Sequence, residues 1–193
     1  MKKIIMTAAA VLAFAYTNAQ EVKFGVKGGL NIATLGGDAE DAKSLVGFHV
    51  GGFAEIKLSD KFAIQPELLY STQGAKFEGT DGDADYDDKL DYLNIPVMAK
   101  YYVAEGFSLE AGPQIGFLLS AKEDGEDVKD FYKSIDFGVN FGAGYDFTEN
   151  LSAGVRYNLG LSNIYDFPEE AEDFFGDVKG NNSVFSISVG YKF

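Results

Sequence analysis

The sequence contains no cysteine, no tryptophan and a single histidine, His49. Without cysteine there is no disulfide framework, so an exported fold must rely on continuous hydrogen bonding and packing. Lys and Arg number 16 against 30 Asp and Glu, which gives a formal net charge of −14. This charge argues against nucleic-acid binding, which needs basic residues to neutralise phosphates. Long apolar runs are also missing beyond the first residues, so the sequence predicts no membrane-spanning helix.

The first residues have the three parts of a secretory signal. Lys2 and Lys3 are followed by an apolar stretch at 4–15 and by the small-residue sequence Thr17-Asn18-Ala19. This order is typical of a Sec signal peptide with cleavage after Ala19. We therefore predict a signal peptide at 1–19 and a single exported domain at 20–193.

Apolar residues alternate with small or polar residues through the rest of the chain. At the C-terminus, Phe185, Ile187, Val189, Tyr191 and Phe193 share one parity. Side chains alternate between the faces of a strand, so this segment predicts a strand with one apolar face. The same pattern predicts eight strands, over residues 22–34, 45–58, 61–74, 91–103, 107–120, 134–147, 151–164 and 182–193.

The connections between the predicted strands alternate in length. Three are tight turns, and four are longer loops, at 35–44, 75–90, 121–133 and 165–181. With their flanking charges these loops carry a net −14, nearly all of the −16 that remains when the two signal-peptide lysines are removed. Outer-membrane barrels have short periplasmic turns and longer external loops. The predicted fold is all-β, an eight-stranded antiparallel up-and-down transmembrane barrel with acidic external loops and both termini in the periplasm.

Charged residues inside the predicted strands follow the inward parity, and the two signs nearly balance. An eight-stranded barrel is just wide enough for its side chains to fill. The sequence therefore predicts a structural polar network in the lumen, formed by Lys27, Glu55, Glu67, Lys100, Glu110, Asp136 and Arg156. The alternative to a filled lumen is a narrow water path, because the inward-facing glycines leave space between the strands' side chains.

Pro66, Pro96 and Pro113 interrupt the predicted strands. Proline has no N–H to donate to a ladder, and a closed barrel has no free edge. We therefore expect bulges, or positions near the barrel rims, at these three residues.

Three features could carry chemistry, and each has a plainer interpretation. His49 has no serine fixed beside it by the sequence, so we interpret it as a structural lumen residue. The acidic run at 81–88 begins like a calcium loop, but Tyr86 and Tyr92 occupy the glycine and glutamate positions, which favours a solvated acidic loop. Residues 168–176 predict a short helix whose two phenylalanines cap the barrel mouth.

Several segments together resemble one family. They are Val26-Lys27-Gly28-Gly29-Leu30-Asn31, Ile64-Gln65-Pro66-Glu67-Leu68-Leu69-Tyr70, Leu93-Asn94-Ile95-Pro96-Val97-Met98, Glu110-Ala111-Gly112-Pro113-Gln114, Arg156-Tyr157-Asn158-Leu159-Gly160 and Gly190-Tyr191-Lys192-Phe193. The sequence is similar to the PorT-type outer-membrane β-barrel family of Gram-negative bacteria, often labelled porin family protein. The resemblance implies an eight-stranded outer-membrane barrel, and one branch of that family acts in type IX protein secretion. It does not assign an activity.

These observations predict an integral outer-membrane protein with a structural or interaction role at the cell envelope. We predict no catalytic residues, no cofactor and no metal site. The expected partners are outer-membrane lipid and lipopolysaccharide, the barrel assembly machinery through the C-terminal strand, and an envelope protein of unknown identity. The alternatives are a narrow passive channel for small solutes or cations, and an accessory role in type IX-like secretion.

Overall fold

A computed structural model describes residues 21–37, 42–77, 86–166 and 179–193 of the protein. The predicted signal peptide at 1–19, the predicted helix at 168–176 and most of the acidic run at 81–88 lie outside these residues. Within the described ranges, no helix is long and apolar enough to cross a bilayer.

Eight long strands make up most of the described chain. A two-residue strand and a 3-10 turn at Lys129–Phe131 lie between the fifth and sixth long strands. The strands are β1 (Val22–Gly37), β2 (Ala42–Ser59), β3 (Phe62–Phe77), β4 (Tyr86–Ala104), β5 (Phe107–Glu123), β6 (Glu126–Asp127), β7 (Ile135–Asp146), β8 (Leu151–Gly160) and β9 (Gly180–Lys192). All eight predicted strands are present, but several extend into the predicted loops. The largest extension is in β4, which begins at Tyr86 rather than at residue 91.

The strands form one closed antiparallel sheet. Their order is β4-β3-β2-β1-β9-β8-β7-β5-β6, and β4 also pairs with β5. The first and last strands pair over a long register that begins with Gly25 opposite Lys192. Closure pairs every long strand on both sides, so none of the eight has a free edge. The predicted eight-stranded antiparallel barrel is confirmed.

The alternation in the sequence separates two environments. Large apolar side chains on the outer surface are strongly exposed, among them Leu30, Val46, Phe141, Ile187 and Phe193. Side chains of the opposite parity are buried in the interior, and many of them are polar or charged. A soluble protein rarely exposes so large an apolar surface. An apolar band around a polar interior is the arrangement of a transmembrane β-barrel.

The expectation of bulges at the three prolines is wrong. Pro66 pairs with Val97 and Pro96 with Gln114 without a register shift, and Pro113 pairs with Val139. Pro96 lies in the middle of β4, so a rim position does not explain it either. Instead, the pairing skips residues 67–68 between β3 and β4 and residues 97–98 between β4 and β5, beside the prolines. The barrel wall therefore accommodates the missing N–H groups by local gaps in the ladder at constant register.

Candidate functional site in the barrel interior

Glu55 on β2 is the centre of an ion-pair cluster near the short-turn end of the barrel. Its carboxylate accepts hydrogen bonds from Lys100 Nζ at 2.9 Å, Lys192 Nζ at 3.1 Å and the Tyr102 hydroxyl at 3.1 Å. Lys192 Nζ also donates to Asp146 at 2.9 Å. The Glu55 side chain is 1% exposed. Strands β2, β4, β7 and β9 are thus connected through one buried carboxylate.

Glu67 on β3 is the centre of a second cluster, deeper in the lumen. Arg156 donates one hydrogen bond to each of its carboxylate oxygens, both at 2.9 Å, and a third to Glu110 at 3.0 Å. Lys27 Nζ and Gln65 Nε2 donate to the same Glu67 oxygen at 3.2 and 2.7 Å. The Glu67 side chain is fully buried. Bidentate pairing with several donors is the arrangement that a buried carboxylate requires.

Lys100 joins the two clusters. Its ammonium group lies 3.6 Å from Glu110 and donates to Gln65 at 3.3 Å, in addition to its bond with Glu55. The joined set, which we call the lumen network, consists of Lys27, Glu55, Glu67, Lys100, Glu110, Asp146, Arg156 and Lys192. It contains four basic and four acidic groups, so it is electrically neutral. A neutral, mutually paired set can be buried without leaving an unpaired charge.

Asp136 lies apart from the lumen network. Its carboxylate accepts hydrogen bonds from the Ser162 hydroxyl at 2.6 Å and from Asn182 Nδ2 at 2.8 Å, near the long-loop end of the barrel. Six of the seven predicted lumen residues are therefore brought together, and Asp136 is held by neutral donors elsewhere. The alternation of residues assigned all seven side chains to the interior, but it does not tell which of them lie at the same level along the barrel axis.

A layer of amide and hydroxyl side chains, which we call the amide layer, lies between the lumen network and the long-loop end; it consists of Asn31, Ser71, Gln73, Asn94, Gln114, Asn140, Asn158, Ser186 and Ser188 around His49. At its centre, His49 Nδ1 is 2.8 Å from Asn31 Oδ1 and His49 Nε2 is 2.9 Å from Ser188 Oγ. Asn31 Oδ1 can only accept, so His49 donates from Nδ1 and accepts the Ser188 proton at Nε2. The sequence did not indicate this serine, because Ser188 is 139 positions from His49. Serine, histidine and asparagine in this order resemble a hydrolase triad.

An apolar cluster closes the interior at the long-loop end. We call it the apolar cap; it consists of Leu35, Ala75, Leu90, Tyr92, Leu118, Ala121, Tyr132 and Ile164. Tyr132 comes from the segment between β6 and β7, and its hydroxyl donates to Asp88 at 2.8 Å. Burial raises the pKa of the Tyr132 phenol, and the nearby Asp88 carboxylate adds to the effect. The polar interior therefore ends in a small hydrophobic core at the long-loop end.

The size of the cavities inside the barrel changes from one layer to the next. A vestibule of about 640 Å³ opens at the short-turn end and is bounded inward by Glu55, Tyr102 and Lys192. Beyond it, the spaces beside the lumen network and within the amide layer are about 30 Å³ each. A space of this size holds a single water molecule or so. Within the described residues, no group of three or more histidine and acidic side chains is placed to hold a metal ion.

The chain matches a family model over residues 18–166, and the description of that model is outer membrane protein beta-barrel domain. The chain belongs to this outer-membrane barrel family. No functionally curated protein matches it. The barrel is similar to solved structures of Neisserial surface protein A (18% identity, TM-score 0.61, 90% of this chain and 99% of that chain covered) and of a major outer membrane protein from Thermus thermophilus (17%, 0.50, 89% and 99%).

A further similar barrel is Ail, the attachment invasion locus protein of Yersinia pestis, solved in complex with the heparin analogue sucrose octasulfate (15% identity, TM-score 0.53, 90% and 99% covered). At these identities the similarity extends to the fold alone. The family match and the fold together identify an outer-membrane barrel, and its more specific role has to be argued from its own residues.

Proposed function

We propose that this outer-membrane barrel is a closed, non-enzymatic scaffold that displays acidic external loops at the cell surface. The observation that carries the proposal is the neutral lumen network, in which every charge is paired across the interior. Above it, the amide layer and the apolar cap fill the same interior. A conducting lumen needs a continuous water path, and the 30 Å³ spaces inside this one support its absence.

The absence of catalysis is supported by the surroundings of Ser188. His49 and Ser188 are 5% and 8% exposed, and the space beside them is about 30 Å³. An acyl substrate needs room next to the serine oxygen and donors for the developing oxyanion. The Ser188–His49–Asn31 set therefore acts as a structural hydrogen-bond chain between β9, β2 and β1.

Efflux from proteoliposomes tests the closed barrel. Liposomes loaded with small sugars and amino acids are compared with and without the mature protein, and a general porin serves as positive control. We expect retention equal to that of protein-free liposomes. Rapid release of these solutes would support the alternative function, a narrow passive channel.

The proposed topology puts both termini in the periplasm after Sec export, and the missing cysteines make it simple to test. Gly125, at a long-loop tip, and Asp60, in a short turn, are each replaced by cysteine and treated on intact cells with a membrane-impermeant maleimide. We expect labelling of Gly125→Cys alone. Labelling of Asp60→Cys alone would mean that the barrel has the opposite orientation in the membrane.

The PorT-type resemblance suggests a second role, as an accessory of type IX-like secretion. It rests on the strand segments given above and not on a site in the lumen. Reduced export of surface proteins in a deletion strain, restored by the wild-type gene, is the result that this role requires. In either role, we expect the assembly machinery to recognise the C-terminal strand β9.

A further inference from the structure

Asp88 on β4 is a buried carboxylate without a basic partner among the described residues. It lies at the long-loop end beside the apolar cap and is 5% exposed. One of its oxygens accepts the hydrogen bond from the Tyr132 hydroxyl at 2.8 Å, and the other, Oδ1, has no hydrogen-bond partner within the described ranges. Glu67, in contrast, receives four hydrogen bonds, three of them from charged donors. A buried carboxylate with a single neutral donor is unfavourable in its ionised form.

The described groups around Asp88 do not compensate its charge. Glu123 lies directly opposite it in the ladder between β4 and β5, and Ala75 lies opposite it on β3. Lys89 and Lys122 are the next residues along β4 and before Glu123 on β5, but they have the outward parity and are exposed. The other titratable groups near it are Asp124 and the phenols of Tyr86, Tyr132 and Tyr165. Ionised Asp88 is therefore repelled by carboxylates and is stabilised by one phenol.

This stretch of β4 lies beyond the apolar band, because its outward residues Asp87, Lys89 and Asp91 are charged. Burial raises the pKa of the Asp88 carboxyl above its ordinary 3.8; the hydrogen bond from Tyr132 offsets part of this rise, and the Glu123 and Asp124 carboxylates add to it. Asp88 therefore binds a proton more tightly when it is buried than when it is exposed to water.

Tyr132 belongs to the connection between β5 and β7, residues 124–134, and docks it on the barrel end. Its side chain is part of the apolar cap and is 7% exposed. Backbone hydrogen bonds hold the connection on both sides of the tyrosine: Val128 N–H donates to a β5 carbonyl at 3.1 Å, and Lys133 N–H donates to a carbonyl of the segment after β8 at 2.7 Å. Asp88 and Tyr132 thus meet where a surface segment packs against the closed end of the interior.

We propose that Asp88 and Tyr132 form an acid-sensitive latch, which fastens the β5–β7 connection on the apolar cap when Asp88 is protonated and loosens it when Asp88 is ionised. Loosening returns the ionised carboxylate to water. Because the docked state binds the proton more tightly, docking is most stable below pH 3.8 and loses stability as the pH rises through the raised pKa of Asp88. This regulation goes beyond the proposed scaffold role and is independent of the closed lumen, since the lumen network lies deeper in the barrel.

Hydrogen exchange of single amides tests the latch, by NMR of the refolded mature protein in detergent micelles between about pH 4 and pH 7. The Val128 and Lys133 amides report docking of the connection, and each exchange rate is divided by the intrinsic rate at the same pH. We expect their protection to be highest at the acidic end and to fall by up to about tenfold per pH unit between the ordinary and the raised pKa. Amides in the middle of β8 serve as reference. Constant protection of Val128 and Lys133 would overturn the proposal.

Three variants distinguish the latch from a purely structural contact. Asp88→Asn keeps an oxygen for the Tyr132 hydrogen bond but cannot ionise, so protection should be high and constant over the same range. Glu123→Gln changes an exposed residue, removes the opposed charge and leaves Asp88 titratable, so the fall in protection should move to lower pH. Asp91→Asn, on the outer surface of the same strand, is the matched control and should follow the wild type. An unaltered pH dependence in Asp88→Asn, an unshifted profile in Glu123→Gln, or a lost one in Asp91→Asn would contradict the latch.

Discussion

Arg156 on β8 donates two parallel hydrogen bonds of 2.9 Å to the two carboxylate oxygens of Glu67 on β3. The two residues are 89 positions apart in sequence and lie on opposite walls of the barrel, with β2, β1 and β9 between their strands. The contact therefore crosses the lumen at its centre. A side-chain pair that spans the interior braces opposite walls of the barrel, and in the proposed closed barrel it also obstructs the lumen.

Replacing Arg156 by leucine should destabilise the barrel. The change leaves Glu67 and Glu110 buried without their arginine, and breaking a buried pair in this way costs about 3–5 kcal/mol. We expect the temperature at which the heat-modifiable gel mobility is lost to fall by something on the order of 10 °C. Lys57→Gln is the control, because its ion pair with Glu21 is exposed and 3.7 Å long. An unchanged transition for Arg156→Leu would contradict a structural network.

Gly29 and Gly28 provide a test of the packing around His49. A β-carbon on Gly29 would collide with the carbonyl oxygen of Ile187 and lie 2.8 Å from the His49 ring, whereas one on Gly28 would make ordinary contacts. We expect Gly29→Ala to lower the yield of refolded barrel and its transition temperature, and Gly28→Ala to change neither strongly. Thermal gel-shift curves of both variants measure this. Similar curves would mean that the wall moves aside at Gly29.

Ser188 should be unreactive despite its histidine partner. A fluorophosphonate probe needs access to the serine oxygen, and Ser188 lies in a space of about 30 Å³. We expect no covalent adduct on the folded wild-type barrel by intact-mass measurement. An adduct that disappears in Ser188→Ala would show that the constellation is a working nucleophile and would contradict the structural interpretation.

Tyr132 should titrate above an ordinary tyrosine. Because burial raises its pKa in the folded state, the neutral phenol favours folding. Its contribution is complete below the ordinary value of about 10 and is lost as the pH rises through the folded-state pKa. The absorbance at 295 nm of wild type minus Tyr132→Phe isolates this group. A midpoint near 10 would mean that the phenol is open to solvent.

The fold was predictable because one signal, strict alternation, recurs in every strand and has few physical solutions. The alternation also predicted that the side chains of Lys27, Glu67 and Arg156 point into the lumen, because the inward or outward direction of a side chain depends only on its position along its own strand. Partners across the lumen were not predictable in the same way. Asp136 has the same parity as its expected partners but a different height, and Ser188 meets His49 only through strand order and register.

The apolar cap was missed for a different reason. Leu35, Leu90 and Tyr132 fall in segments predicted as loops, where alternation is short and acidic residues dominate the composition. Strands β1 and β4 continue through two of those segments and turn Leu35 and Leu90 inward, whereas Tyr132 packs against them from the segment between β6 and β7. The burial of these residues depends on packing between segments that are distant in sequence, so no local sequence pattern predicts it.

Single-channel recording in planar bilayers tests the closed lumen most directly. The purified mature barrel is inserted beside a porin of known conductance, in symmetric potassium chloride over a range of voltages. If the lumen network, the amide layer and the apolar cap fill the interior, insertion of the barrel should add no steady current steps. Reproducible, cation-selective steps from the wild-type protein would contradict the account and make this barrel a narrow channel.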